Sequence, residues 1–479
     1  MSAFEGTAAV LALVALLARL AGRQHRLLHL LQLEHYENAR LMLWLRRRGE
    51  LIAPRELIAI ALLYAAAVAA SSSDSGWLCG ALLLATCPLA ALGVADWRRE
   101  AVKPLVLTGR AKRLLACALL PPALLALTAI VVAAAGLTTT PLTVLLALGL
   151  LLLACAPWTL LGANRALGPV QSAINRRYEQ RARRSLRDWD PLVVGITGSY
   201  GKTTTKFCVG AVLEADRPTL VTPESYNSFL GIIRTINEHL RSTHRAFVVE
   251  MGMFRRGDIT ELCELVHPTI GVITAIGPMH LERLGSIEAI AAAKGELLDA
   301  LPPEGHFITN AEDPRCLELA ERANVPVTLF GIEDGPAGQA PLAAAPHAPG
   351  TPQRTPIPSP YDKPHVQVIA RDVQLAEGRT TFKLQLDGPQ SEQVEVSAGL
   401  LGRHNVANLL AAAAVGRVLG ISAPRIAEGL AHVQAPAHRL QPIHNRRAGV
   451  VVIDDAYNSN PDGAASALEV LREHPATRR

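Results

Sequence analysis

Residues 193–210 read VVGITGSYGKTTTKFCVG. A β-branched run leads into a turn bounded by two glycines, then a lysine, three threonines and a helical pattern. In such a turn the backbone N–H groups and the first turn of the next helix face the same way, which attracts phosphate oxygens. Gly198, Ser199, Tyr200, Gly201, Lys202, Thr203 and Thr204 would form that cradle. Lys202 would neutralise the β- and γ-phosphates, and the Thr203 hydroxyl would hold Mg²⁺. The stretch departs from the general G-x-x-x-x-G-K-[ST] pattern, because Ile196 stands where the first glycine belongs. The strand before the loop and the helix after it supply the context that a phosphate loop requires.

Outward from the loop, short β-branched runs alternate with helical patterns. LVVGIT, TLVT, AFVVEMG, TIGVITAIG and HFITNA are strand candidates, with helical stretches between most of them. That alternation predicts an α/β domain with a parallel sheet covered by helices on both faces. Ligands of such sheets gather at the carboxyl ends of the strands, where the glycine loop falls. Residues 331–365 are rich in Pro, Ala and Gly and read as a disordered insertion. HVQVIARDV and TTFKLQL then predict antiparallel strands, and HNVANLLAAAAVGRVLG a strong helix. A last strand-turn-helix unit, GVVVIDDAYNSNPDGAASALEVL, is too little to form a core of its own. The expected organisation is a membrane region over 1–190, a nucleotide-binding central domain over 191–435, and the start of a Rossmann-like C-terminal domain over 436–479.

The region before the loop has a different texture. Hydrophobic residues make up 49% of the 479 and aromatics only 4%, an Ala/Leu-rich balance that suits membrane helices. Five apolar runs stand out, at 8–21, 57–70, 77–95, 114–137 and 142–163. The last three are long enough to cross a bilayer, which takes ~20 residues; the first two are short, and Arg19 interrupts the first. The start, MSAFEG, lacks the basic n-region of a signal peptide. Arginine-rich stretches at 23–55, 96–113 and 176–187 alternate with SSSDSG and LTTTP, which hold no Lys or Arg. Five crossings put all the basic stretches on one side, which the positive-inside rule makes cytoplasmic. The expectation is a multi-pass inner-membrane region with everything after Pro191 in the cytoplasm. LLHLLQLEHYENARLMLWLRRR, residues 27–48, reads either as a helix lying on that surface or as a connecting helix.

A net charge of +5, with no zinc-finger, RNP or basic-helix pattern, excludes nucleic acid as the expected partner. The 7 cysteines are scattered, without a C-x-x-C pair, so they form neither a disulfide framework nor a zinc site.

The departure at Ile196 is informative, because TGSYGKTTTK resembles the nucleotide loop of the Mur ligase family, whose pattern is TGxxGKT. VVEMG with Glu250, GPMHLERLGSIEAIAAAKGE with His280 and Lys294, GRHNVANLLAA with Asn405, and HRLQPI…VVVIDDAYNSNPDG with Arg439, Asp454 and Asn458 agree with the family in the same order. The likeness covers about 191–479 and is greatest to the D-alanyl-D-alanine-adding (MurF-type) branch. It implies an enzyme that uses ATP and Mg²⁺ to phosphorylate a substrate carboxylate, and then lets an amine displace the phosphate. The acceptor would be a UDP-linked or lipid-linked muramoyl peptide, and the amine an amino acid or a dipeptide such as D-Ala-D-Ala. By the same likeness, Thr203, Glu250 and His280 would arrange the metal, and Lys294 would be carbamylated into a further metal ligand. Lys202, Glu250, His280 and Lys294 would be catalytic. Asn405 would meet adenine, Arg439 the phosphates and Asp454 the ribose; Asn310, in ITNAEDP, also matches a family position.

Taken singly, each residue has a plainer reading. His280 is equally a structural histidine, Glu250 a strand-end cap, Lys294 a solvated lysine, and Asp454 with Asp455 a turn. Only the joint order favours chemistry. The chain also departs from the family. Membrane-like segments stand in place of the domain that recognises the UDP end, the closing third domain is barely begun, and Phe254 and Arg255 occupy the position of an Asn-His pair. A nucleotide-binding chain that needs a partner chain for the missing domain is therefore an alternative, and an ATP-driven transporter or a folate polyglutamylating enzyme are weaker ones.

Overall fold

The computed structural model describes residues 3–51, 91, 95–96, 104–134, 148–149, 151–333, 366–376, 378–388, 391–445, 449–456 and 461–473. They divide into two compact units, Met1–Asn175 and Arg176–Arg479.

The first unit is helical. Helices Ala3–Leu33, Asn38–Arg48, Gly109–Ala134 and Ala156–Ala166 share a leucine core that includes Leu20, Leu28, Leu41, Leu45, Leu114 and Leu160. Asn164 joins two of them, donating from Nδ2 to Asn38 Oδ1 at 2.7 Å and to the Tyr36 carbonyl at 2.9 Å. Arg19, which interrupts the first apolar run, is buried and paired with Asp96. The stretch 27–48 is not one surface helix. Its first part continues the first apolar run as a single helix to Leu33, and left-handed residues His35 and Tyr36 break it there. Among the described residues one segment, Gly109–Thr128, is long and apolar enough to cross a bilayer. The run 57–70 and most of 77–95 lie outside the described residues.

The second unit is built on a sheet of nine strands in the order β2-β3-β1-β4-β5-β6-β7-β8-β9. The strands are β1 (Leu192–Thr197), β2 (Thr219–Val221), β3 (Ala246–Glu250), β4 (Ile270–Ile273), β5 (His306–Asn310), β6 (Val327–Ile332), β7 (Val366–Ala376), β8 (Arg379–Leu386) and β9 (Glu392–Ala398). Neighbours from β2 through to β7 pair in parallel, while β7–β8 and β8–β9 are antiparallel. The expected parallel sheet is therefore present, and the two antiparallel strands extend the same sheet. The insertion read at 331–365 falls, from 334 onward, outside the described residues.

Strand periodicity explains the burial. On β3, Ala246 and Val248 face one core with Val194 and Ile196 of β1, while Phe247 and Val249 face the other with Val193. Both faces are covered, so these strands read as continuous apolar runs. On one face lie the phosphate helix (Lys202–Glu214), the alanine helix (Arg403–Val418) and helix Ala423–Ala431. Helices Phe229–His239, Asp258–Val266, Ile287–Asp299 and Pro314–Glu321 cover the other face.

Residues 436–473 give an antiparallel pair, β10 (Gln441–Asn445) with β11 (Val450–Asp454), and a helix Pro461–Glu473. The Rossmann-like start read from the sequence is thus a hairpin and a helix among the described residues. Its pairing is antiparallel because QPIHN, upstream of the expected strand, folds back on VVVID. Among the described residues, Leu401, Leu440 and Val470 form a small buried cluster there, while Ile443, Val450, Val452 and Leu468 are exposed.

Close helix packing on the first face depends on small residues. A Cβ at Gly429 would lie 2.8 Å from the Ala211 carbonyl oxygen and 2.8 Å from Val212 Cα, both backbone atoms. Gly429→Ala should push the two helices apart and cost about 1–3 kcal/mol, read as a lower melting temperature. Gly162→Ala, with nothing within 4 Å of its Cβ, should leave melting unchanged or raise it.

Candidate active site

β1 lies between β3 and β4; the connection after β1 runs over one face of the sheet and that after β3 over the other, so a crevice opens at the carboxyl ends of these strands. The glycine loop follows β1. Gly198 (φ +154) and Gly201 (φ +79) have dihedrals that suit glycine, and added Cβ atoms would lie 2.0 Å from Thr274 Oγ1 and 2.3 Å from Asn408 Oδ1. The loop is tied to the segment after β4. Ser199 N–H donates to the Ala275 carbonyl at 2.7 Å. Ser199 Oγ donates to the Gly277 carbonyl at 2.9 Å and accepts from its N–H at 2.8 Å. Below the loop, Thr205 Oγ1 donates to Asn408 Oδ1 at 3.0 Å, and Asn408 Nδ2 donates to Asn405 Oδ1 at 2.9 Å, linking the phosphate helix to the alanine helix.

Lys202 folds over its own loop, with Nζ 2.7 Å from the Gly198 carbonyl oxygen. Burial lowers its pKa; the Glu250 carboxylate opposes that shift and Arg439 adds to it. Arg439 also reaches Thr203 Oγ1, at 3.4 Å. Glu250 ends β3 and is 1% exposed. Its Oε1 accepts from Asn227 Nδ2 at 2.9 Å, and its Oε2 stands 3.0 Å from Lys206 Nζ. That second contact is an ion pair without hydrogen-bond geometry, so Oε2 is buried with no hydrogen bond.

His280 has a left-handed backbone (φ 68) and its ring meets Phe254 edge-on, centroids 5.6 Å apart. Burial, then Lys294, Lys202 and Arg283, lower its pKa, which favours the neutral imidazole that ligates metals. Lys294 sits on helix Ile287–Asp299, whose N-terminus is capped by Ser286 Oγ accepting from Ala289 N–H at 3.1 Å. It is 2% exposed, and burial followed by the charge on Lys202 holds its pKa well below the ordinary lysine value. The solvated-surface reading of Lys294 is therefore excluded.

These groups meet in a cleft of about 350 Å³ lined by residues 198–204, Glu250, His280, Lys294, Asn405 and Arg439. Asn405 uses Nδ2 on the Leu401 carbonyl at 2.8 Å and Oδ1 on Asn408, which leaves one N–H and one lone pair. Asp454 does not line the cleft: its carboxylate accepts from His438 Nδ1 at 2.7 Å. Asp455 takes the wall position, accepting from Leu440 N–H at 3.2 Å, with its pKa raised by burial. Asn458 lies outside the described residues, and Asn310 turns Oδ1 onto Glu312 N–H at 2.9 Å, away from the cleft lining. Sequence reasoning missed Lys206, Asn227, Asn408 and Asp455. Lys206 had one available signal, its place one helical turn beyond Lys202 on the same face.

Among the described residues no three His, Cys, Asp or Glu side chains cluster as a metal site. One buried carboxylate with an unbonded oxygen, one hydroxyl and one neutral imidazole nevertheless suit Mg²⁺, which takes one or two protein carboxylates and completes its shell with phosphates and water.

Against known proteins, residues 196–416 match the model of the Mur ligase middle domain. This segment is a Mur ligase middle domain. Around it, the chain is 36% identical over 281 residues to UDP-N-acetylmuramoyl-tripeptide–D-alanyl-D-alanine ligase of Mycobacterium leprae, covering 58% of this chain and 50% of that one. The enzyme of that name from Escherichia coli is 30% identical over 286 residues, covering 60% and 56%. Among solved structures, MurF of Acinetobacter baumannii superposes with a TM-score of 0.51 at 30% identity, over 62% of this chain and 58% of that one. MurF ligase of Thermotoga maritima, in complex with ADP, shares the fold at 24% identity and TM-score 0.51, over 63% and 61%. The chain thus spans about half the length of the curated relatives it matches.

The lowered pKa of Lys294 in this Mur ligase middle domain has a consequence for stability. The unfolded chain binds the proton more tightly than the folded one, so the penalty is full below the folded pKa and disappears above the ordinary lysine value near 10.5. Lys294→Met should therefore raise the melting temperature of nucleotide-free protein in CO₂-free buffer at neutral pH. The gain should shrink steadily as the pH approaches 10.5, and melting curves across that range check it.

Proposed function

We propose that the chain works as a membrane-tethered, ATP-dependent amide ligase of cell-wall precursor synthesis, of MurF type. One observation carries this reading: the phosphate loop, Glu250, His280, Lys294 and Arg439 line a single cleft at the carboxyl ends of β1, β3 and β4. The relatives' printed names supply the substrates, a UDP-linked muramoyl tripeptide and D-Ala-D-Ala.

The chemistry brings several negative charges together, and the cleft answers with Lys202 and Arg439. Lys202 and the loop N–H groups hold the γ-phosphoryl group in line with a substrate carboxylate. A carboxylate oxygen bonds to phosphorus as the bond to ADP breaks, giving an acyl phosphate. The amine of the second substrate then bonds to the acyl carbon, and phosphate departs with the electrons of the C–O bond. Mg²⁺, when bound, supplies charge neutralisation between the phosphates, and Thr203, Glu250 and His280 would hold it. Burial favours the uncharged form of Lys294, the form that adds to CO₂, and the carbamate would join that set. Asn405 takes the adenine, and Asp455 on the wall is better placed than Asp454 for the ribose hydroxyls.

Support for the tether comes from Gly109–Thr128 and from the outward stripe of Leu120, Leu124, Leu127 and Val131, each 56–59% exposed. The arginine-rich stretches give the orientation, with the ligase unit on the cytoplasmic side of the inner membrane, where a lipid-linked acceptor is also within reach. A second reading is favoured by the exposed Ile443, Val450, Val452 and Leu468: nucleotide binds here, and further polypeptide covers this surface before turnover begins.

Phosphate release from ATP should require both the muramoyl tripeptide and D-Ala-D-Ala, and Lys202→Ala should lower it at least about 100-fold. Release that ignores the dipeptide would overturn the ligase reading. Nucleotide binding without release, with release restored by a second chain, would favour the second.

A further inference from the structure

Lys206 closes the TGSYGKTTTK stretch and is fully buried, yet it carries a charge that the cleft chemistry does not use. It does not line the cleft, so it touches no nucleotide. Its Nζ stands 3.0 Å from Glu250 Oε2 and donates to the Glu224 carbonyl, and the Phe207 ring centroid lies 5.0 Å away. Burying an ion pair is a poor way to gain stability, because desolvation offsets most of the attraction, so the pair calls for a reason other than packing.

Geometry supplies one. Glu250 is held from two sides, by Asn227 on Oε1 and Lys206 on Oε2, which fixes its carboxylate at the cleft wall. The hydrogen bond to Glu224 anchors the segment 222–228, which brings Ser225 and Asn227 to the cleft wall. One ammonium group thereby ties together the phosphate helix, the end of β3 and this segment. The Oε2 atom meets the ammonium charge as an ion pair and makes no hydrogen bond.

We propose that Lys206 is a positioning residue for divalent-cation-dependent nucleotide binding, acting through Glu250. The inference rests on reading the cleft as a Mg²⁺–nucleotide site. Groups behind a metal ligand typically change metal affinity 10–100-fold when removed.

The test is ADP binding by titration calorimetry on the full chain, with Mg²⁺ and with EDTA, for wild type, Lys206→Met, Glu250→Gln and the double variant. In Lys206→Met the strengthening by Mg²⁺ should fall by about tenfold while affinity in EDTA stays within about twofold of wild type. The double variant should match Glu250→Gln, because Lys206 has nothing left to position. Equal losses with and without Mg²⁺ would mark a purely structural pair and overturn the inference, as would an unchanged Mg²⁺ effect. If Lys206→Met unfolds because Glu250 is left as a lone buried charge, the double variant decides: folding and matching Glu250→Gln supports the proposal, and a further loss overturns it. Wild-type protein that binds ADP no better with Mg²⁺ would instead refute the nucleotide-site reading beneath it.

Discussion

Positive charge concentrated in one cleft is the constraint on which the candidate site depends. Lys202, Lys294 and Arg439 line it, and Lys206 lies just behind, while Glu250 and Asp455 are the carboxylates on its wall among the described residues. The fold accommodates that excess by three means. It turns Lys202 onto loop carbonyls, pairs Lys206 with Glu250, and buries Lys294 until its proton is weakly held. A polyphosphate ligand, as proposed, would relieve the imbalance.

The sheet makes that concentration geometrically feasible. Three neighbouring parallel strands end at one edge, and each delivers a charged or metal-competent group at or beyond its end: the loop after β1, Glu250 as the last residue of β3, and His280 beyond β4. Helices cover both faces, so the crevice at the strand ends remains the open place for chemistry.

Much of this was legible from residues alone. Short β-branched runs and the glycine turn located the strands, the phosphate loop and the cleft edge, because those features are local. Lys294 could be placed on its helix but not buried, since burial depends on which face the neighbouring helices cover. Asp454 and Asp455 are adjacent, so a one-residue difference in strand facing decided which one met the cleft, and no pattern in DDAYN fixes that. Lys206 looked like a charge on a helix, because its partner Glu250 lies 44 positions away in sequence on a different strand. In the first unit, the break at His35 and Tyr36 came from two left-handed residues that are not glycine, a choice that propensity does not foresee.

The alanine run at 411–414 is fully buried and lies on the same face of the sheet as the phosphate helix. Side chains that small have almost no rotamers to lose, and they let the helix backbones come close. With Asn408 also bonded to Thr205, the position of the phosphate helix is set by the fold. The disorder a flexible loop would surrender on meeting its ligand has here already been surrendered during folding. On the proposed function, nucleotide recognition would resemble occupation of a rigid mould, and discrimination between nucleotides would fall to the outer contacts around base and ribose.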